Sequence, residues 1–559
     1  MHSIAQEVTF GVPFDFPLYL SGNFGELRSN HFHGGLDFKT QGVTGKPLLA
    51  IANGYISKVT VTAGGYGNAL YITHDNGYTS VHGHLDRFLP EIARRIHEQQ
   101  YAEQSYVVTL EFNPEEFPVR QGEVVAYAGN TGYSFGPHLH MEIRITDTNE
   151  PIDPLPFYKD KIADHIAPQA THIMIYGAPQ RGKVRSFSQW KNIVTNGTNH
   201  EEKMVWNVSS PLGRNEEVPV FYCWGRIGTA ISANDYMDGT TNNYGVRYVR
   251  LFVDDHLVSS SNVDRFTFDE NHLINSWTDY AEQRRSKRWY MRSTIAENNE
   301  LRMLHADNRR GWVTIDEERD YQFRYELEDL HGNCTAYRFV VRGRQMTQDT
   351  PLRNYFYSMD AQRNNRFYVA GTELWLPQGT LFENIDLEYE VFSSASESDF
   401  TDIYQFSTQP VALRNAAELT LPVRLDKPFD SKKLYVARVD GNRRIYCGGT
   451  YKYGRITTNI TELGNYTVCA DTTPPTITPI GENTWKKRGV VAFRITDGET
   501  GLRTYRGKID NRWVLFKYSS KNHRLWCDLK EEGIGSGRHT VEIEVTDMRG
   551  NCRVMNFEL

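Results

Sequence analysis

Apolar and polar residues alternate over short runs through most of the chain, the period-two pattern of half-buried strands. Val490-Val491-Ala492-Phe493-Arg494-Ile495 and Thr540-Val541-Glu542-Ile543-Glu544-Val545 are two such runs, set between glycine-rich turns. Helical spacing is confined to two places. Phe88, Ile92 and Ile96 recur every four residues, which predicts a short amphipathic helix with Pro90 in its first turn. A second helix is predicted near 273–286. Ser105–Phe112 reads as a strand that follows the first helix. The fold class is therefore mainly β.

Punctuation divides the chain. Pro151-Ile152-Asp153-Pro154-Leu155-Pro156, with Pro168 soon after, is stiff and strand-breaking. Asp471-Thr472-Thr473-Pro474-Pro475 marks a second boundary and resembles the first strand of bacterial immunoglobulin-like domains. Tyr325-Glu326-Leu327-Glu328-Asp329, then Gly332-Asn333-Cys334, repeats as Ile543-Glu544-Val545-Thr546-Asp547, then Gly550-Asn551-Cys552. Both read as strand, Asp-x-x-Gly-Asn turn, strand, the closing hairpin of a sandwich. The expected organisation is an N-terminal segment 1–17, a first domain 18–160, a β-sandwich 166–345, a β domain 346–471 and an immunoglobulin-like β-sandwich 472–559.

With 559 residues, about four domains fit. Aromatics at 13% strengthen the β reading. No run of about 18 apolar residues occurs, so no membrane span is expected. Residues 1–160 hold 18 acidic and 10 basic side chains, against 51 and 52 in the rest. Neither part has the basic excess that neutralises phosphates, so no nucleic-acid partner is expected. Cysteines fall at 223, 334, 447, 469, 527 and 552, two in each later domain. That distribution suggests bridges Cys223–Cys334, Cys447–Cys469 and Cys527–Cys552 in an oxidising compartment, with buried free thiols as the alternative. Ser3 and Ala5 before Gln6 have the spacing of a signal-peptidase site, so the expected location is secreted or periplasmic.

Nine of the 18 histidines lie in the first 140 residues. They cluster as His31-Phe32-His33-Gly34-Gly35-Leu36-Asp37, as His82-Gly83-His84, and as His138-Leu139-His140-Met141-Glu142. Residues i and i+2 of a strand share a face, so His138, His140 and Glu142 point one way while Leu139 packs behind them. The same rule puts His82 and His84 together. Two glycines let His33 fold back toward Asp37. Two imidazoles and a carboxylate leave a fourth zinc position for water, as catalytic sites do. Each pair alone is a weak signal; the three together are strong.

This region resembles the lysostaphin-like zinc endopeptidases, a family of peptidoglycan hydrolases. Phe24-Gly25 and Arg28 resemble its opening motif, and His33-Gly34-Gly35-Leu36-Asp37 its H-x-G-x-D. Gly65-Tyr66-Gly67-Asn68 resembles its Gly-Asn hairpin, and Gly83-His84-Leu85 its x-His-Leu. Gly129-Asn130-Thr131-Gly132 through His138-Leu139-His140 is similar almost residue for residue. The resemblance implies a compact antiparallel sheet with one Zn²⁺ held by His33, Asp37 and His140. It implies that His84 and His138 act on the water and the tetrahedral intermediate, and that the partner is a peptidoglycan peptide. Where the family usually has Tyr, this chain has His82, expected to line the same groove and to titrate near neutral pH. His31 is a weaker rival to His33 as ligand, and His74 and His97 read as surface or turn residues. Against the family pattern, in which a short turn follows x-His-Leu, the helix and strand of about 88–118 are an insertion; it leaves the fold directly after His84, so it is expected to flank the groove. The rival readings are a non-catalytic wall-binding or hydrolase-activating protein, and an adhesin or scaffold led by the β tail, whose domains would then meet a protein partner.

Overall fold

The computed structural model describes residues 8–185, 193–196, 202–208, 218–346, 357–394, 396, 399–424 and 428–559. The expected signal-peptidase site at Ser3, Ala5 and Gln6 lies outside the described residues. The chain is mainly β throughout, and it separates into two compact units. Among the described residues no helix is long and apolar enough to cross a membrane.

The first unit comprises residues 1–21, 35–162 and 471–559. Its largest sheet has nine strands. We number β1 (Leu36–Lys39), β2 (Gly54–Val61), β3 (Asn68–His74), β4 (Tyr78–Gly83), α1 (Pro90–Glu103), β5 (Val108–Glu111) and β6 (His138–Ile145). Across the sheet the order is β1-β6-β4-β3-β2-β5. Strand alternation sorts its faces. Leu36, Phe38, Leu139 and Met141 are fully buried, which fixes Asp37, His138 and His140 on the opposite side. Gly35 is required by crowding: a Cβ there would sit 2.2 Å from the Met141 carbonyl oxygen.

The insertion forms α1 and β5, with Ile92 and Ile96 buried as their spacing predicts. It stands at one edge of the sheet. β5 pairs with β2 at the sheet edge, so β3 and β2 separate it from the histidine-bearing β4. On α1, Tyr101 hydrogen-bonds Glu532 and packs edge-on against Trp513, and Gln104 accepts from Arg506. α1 thus also buttresses the C-terminal domain. That domain is two four-stranded sheets sharing one core, with Val491, Phe493 and Leu525 facing Val541, Ile543 and Val545.

The second unit comprises residues 22–34 and 163–470. An eleven-stranded sheet is built from strands between Gln169 and Gly343. Its core takes in Phe24 and Phe32 from the short N-terminal segment. The predicted helix near 273–286 appears as Ile274–Trp277 and Tyr280–Ser286, broken at Thr278. Two five-stranded sheets follow and share a core of Leu374, Leu419, Val436 and Val468. The repeat is two equivalent hairpins: Glu328 pairs Cys334, Thr546 pairs Cys552, and Gly332 and Gly550 supply positive φ in the turns.

The six cysteines are free thiols, which corrects the expected bridges. Cys334 and Cys552 sit exposed beside the hairpin turns, while Cys223 and Cys527 are buried inside other strands. Cys469 packs with Tyr435 and Ala437, whereas Cys447 packs on the main core with Leu434 and Val436. Alternation along the strand Leu434–Asp440 puts the last two thiols on opposite faces of their sheet.

Candidate metal centre

The strand β6 lies between β1 and β4, with His140 opposite Asp37 on one side and Gly83 on the other. Asp37 Oδ1 is 2.9 Å from His140 Nδ1 and 3.6 Å from His138 Nε2. His33 comes just after the short strand His31–Phe32 and is 7% exposed. Its Nδ1 is 2.6 Å from the Asn23 carbonyl oxygen; a carbonyl only accepts, so this nitrogen carries the proton. His33, Asp37 and His140 each offer a ligand atom, and these atoms lie within 4.8 Å of one another.

The outer face of His140 is tied down as firmly. Its Nε2 lies 2.9 Å from Glu142 Oε1, and Glu142 also accepts from Arg144 Nε at 2.7 Å and from the Tyr66 hydroxyl. Burial disfavours charge on His140, but the hydrogen bonds and charges of Asp37 and Glu142 outweigh it and lift its pKa to about 9. Donation from Nε2 to Glu142 leaves Nδ1 turned to Asp37.

His84 and His138 stand side by side, ring centres 4.8 Å apart. His84 Nδ1 donates to the Thr131 carbonyl at 2.8 Å and His138 Nδ1 to the Gly136 carbonyl at 2.8 Å. Each keeps Nε2 as its acceptor nitrogen. Burial, then the nearby His140 and His138, hold His84 down to about 3, so it is neutral at working pH. Gly129 lets the 129–137 loop approach: a Cβ there would meet Asp86 N at 2.3 Å.

The five predicted side chains come together; two other expectations do not hold. His84 lies past the end of β4 with φ of +59°, so the i, i+2 rule that paired it with His82 stops at Gly83. His82 is fully buried, its Nε2 2.9 Å from Ser80 Oγ, and burial holds it down to about 3. It neither lines the groove nor titrates near neutrality. His74 is likewise buried rather than at the surface, bonded to the same Ser80. His31 is exposed and stands outside the ligand cluster, and His97 is half-exposed on α1. Sequence reasoning gave no role to Tyr66, Arg144 or Thr131. Arg144 had a signal, as the fourth polar residue in the run 138, 140, 142, 144.

Residues 31–108 match the family described as Peptidase family M23, and residues 356–471 match a Zu5-like domain. Lipoprotein NlpD of Yersinia enterocolitica is 32% identical over 103 residues, 18% of this chain and 81% of that protein. The chain belongs to peptidase family M23. The DD-carboxypeptidase/endopeptidase Mpg of Neisseria meningitidis serogroup B is 33% identical over 129 residues, 23% of each chain. Glycyl-glycine endopeptidase ALE-1 of Staphylococcus capitis is 28% identical over 148 residues, 26% of this chain and 32% of that one. The match thus spans under a quarter of Mpg and about a third of ALE-1.

Proposed function

We propose that this M23 chain is a zinc endopeptidase acting on peptide bonds of bacterial peptidoglycan, in a cross-link or a stem peptide. The observation that carries the reading is the convergence of His33, Asp37 and His140 beside two further imidazoles. The donors fit zinc: two imidazole nitrogens and a carboxylate oxygen, with an imidazole held from behind by Glu142. Three protein ligands leave room for water or substrate, the usual build of a catalytic site. A bound zinc would polarise the scissile carbonyl and bring the pKa of a water toward about 7.

The chain's own groups supply the rest. Neutral His84, its Nδ1 proton committed to Thr131, presents Nε2 to accept a proton from the attacking water. His138, anchored in the same way, turns Nε2 toward Asp37; with a second proton taken up on that nitrogen it would stabilise the oxyanion or pass the proton to the leaving amine. The two roles are interchangeable on this geometry. Tyr133 and Phe135, exposed in the loop that leads to His138, offer aromatic surface to a peptide. The endopeptidase names of Mpg and ALE-1 support a peptide substrate in the wall, which goes with a secreted or periplasmic location. The non-catalytic reading is weaker because all five side chains are present and converge.

Alanine variants test the assignment. His33→Ala, Asp37→Ala and His140→Ala should each lose zinc. His84→Ala and His138→Ala should keep it while turnover falls about 100-fold or more. Full zinc occupancy in Asp37→Ala, or zinc loss in His138→Ala, would overturn it.

A further inference from the structure

Two of the three ligands, Asp37 and His140, are set by the pairing of β1 with β6. His33 is set by a different frame. It follows a small hairpin in which Leu27–Arg28 pairs with His31–Phe32, with Asn30 at a φ of +64° in the turn. The ladder runs on to the ligand itself: Gly25 N donates to the His33 carbonyl at 2.8 Å, and His33 N to the Glu26 carbonyl at 3.0 Å. This hairpin, like all of residues 22–34, belongs to the second unit.

Apolar packing seats it there. Phe24 and Phe32 are buried, and both rings pack on Phe266, with centres 5.1 and 5.2 Å away; Phe32 also meets Trp277. Gly25, at a φ of +76°, has no room for a side chain, since a Cβ would sit 2.1 Å from Val263 Cγ1. Two asparagines then fix the hairpin's position. Asn271 Oδ1 accepts from Phe32 N, one residue before the ligand, at 3.0 Å. It rides on the short helix Phe268–Leu273, whose start is fixed by the reciprocal capping of Thr267 and Glu270. Asn23 is held at one end and holds at the other. Its side-chain amide exchanges two hydrogen bonds with Gly245, Nδ2 donating to the carbonyl at 2.9 Å and Gly245 N donating to Oδ1 at 2.8 Å. Gly245 is steady in turn, because its neighbour Tyr244 exchanges backbone hydrogen bonds with Asp235. The Asn23 carbonyl accepts the Nδ1 proton of His33, which leaves Nε2 as the ligand atom.

We propose that Asn23 and Asn271 are positioning residues for the ligand His33. The folding of the second unit's β region then decides how tightly the centre holds zinc, in addition to whatever that region binds. The inference rests on the zinc reading above and extends it to residues outside the histidine motifs.

The test uses the full chain, with zinc affinity read by competition against a chromophoric chelator and ligand geometry by the absorption spectrum of the Co²⁺ form. Asn23→Ala keeps the carbonyl that holds His33 but removes the clamp on Gly245, and Asn271→Ala removes the acceptor of Phe32 N. Each should weaken zinc about tenfold or more and alter the Co²⁺ spectrum. Asn271→Asp, which keeps an acceptor oxygen, should bind as the parent does. Val341→Ala, opening the same core on the strand Cys334–Gly343, should lower the thermal midpoint and leave affinity unchanged. In the unaltered chain, zinc should slow amide exchange at Phe32 and Gly245 by more than at Val341, since coupling between a ligand and its support is reciprocal. Parent-like affinity in both alanine variants overturns the proposal. An equal loss in Val341→Ala also overturns it, because the effect would then be general instability. Where a variant fails to fold, the exchange measurement decides, and equal slowing at all three amides overturns the proposal. An unaltered chain that binds no zinc overturns the zinc reading and this inference together, whereas a zinc-binding chain with insensitive variants overturns this inference alone.

Discussion

Replacing Glu142 by glutamine keeps the shape of a side chain that is 1% exposed and removes its charge. In the metal-free fold the Glu142 pKa is held at about 2. Burial opposes this, but the hydrogen bond from His140 and the charge of Arg144 overcome it. Set against an ordinary value of 4.5, that depression corresponds to about 3 kcal/mol of stability. The sign follows from linkage: the contribution is complete above pH 4.5 and is lost as pH falls toward 2. Glutamine also leaves the Arg144 guanidinium, 2.6 Å from Glu142 Oε2, without that carboxylate, and breaking a buried pair typically costs about 3–5 kcal/mol. Denaturant unfolding of metal-free protein at pH 7 should therefore show Glu142→Gln destabilised by about 3–5 kcal/mol, with the gap narrowing below pH 4.5. Zinc competition against a chromophoric chelator should show affinity reduced about 10- to 100-fold, because His140 loses the partner that orients it. An unchanged midpoint together with unchanged zinc affinity would refute the claim that Glu142 holds the ligand.

Further outcomes follow from other parts of the fold. Leu139→Ala, emptying a fully buried site between the two β6 histidines, should cost about 2–5 kcal/mol in denaturant unfolding. Buried His74 and His82 are pushed down to about 4 and about 3 from 6.5, so the unfolded chain binds protons first. Stability should fall as pH drops below 6.5, and His82→Gln should flatten that slope; parallel curves would contradict it. Lys521 Nζ donates to the Asn130 and Ser134 carbonyls at 2.5 and 3.1 Å, holding the loop whose Thr131 anchors His84. Lys521→Met should lower turnover severalfold and speed amide exchange in 130–134 while leaving zinc content unchanged. Thiol titration of the denatured, unreduced chain should count six free cysteines.

Much of the centre was legible because its rules are local. Alternation alone put His138, His140 and Glu142 on one face, and the glycines of His33-Gly34-Gly35-Leu36-Asp37 gave the room that brings Asp37 to β6. The misreadings arose where a local rule met a non-local fact. His84 leaves the strand with a left-handed φ, so its pairing with His82 dissolves, and only the packed sheet reveals that His82 is buried. The insertion showed its helix and strand through apolar spacing, but sequence cannot say which edge of a sheet a strand will join. The cysteine pairs failed for a related reason: two thiols in one domain carry no information about which face of the sheet each occupies.

The most direct test of the central claim is digestion of purified peptidoglycan by the zinc-loaded full chain, with the released fragments identified by mass. The account predicts peptides cut at one class of peptide bond, each cut adding one water, and none from the His84→Ala chain loaded with equal zinc. Intact muropeptides after incubation with zinc-replete wild-type chain that nonetheless sediments with the wall would contradict it, and would make the chain a binder rather than a hydrolase.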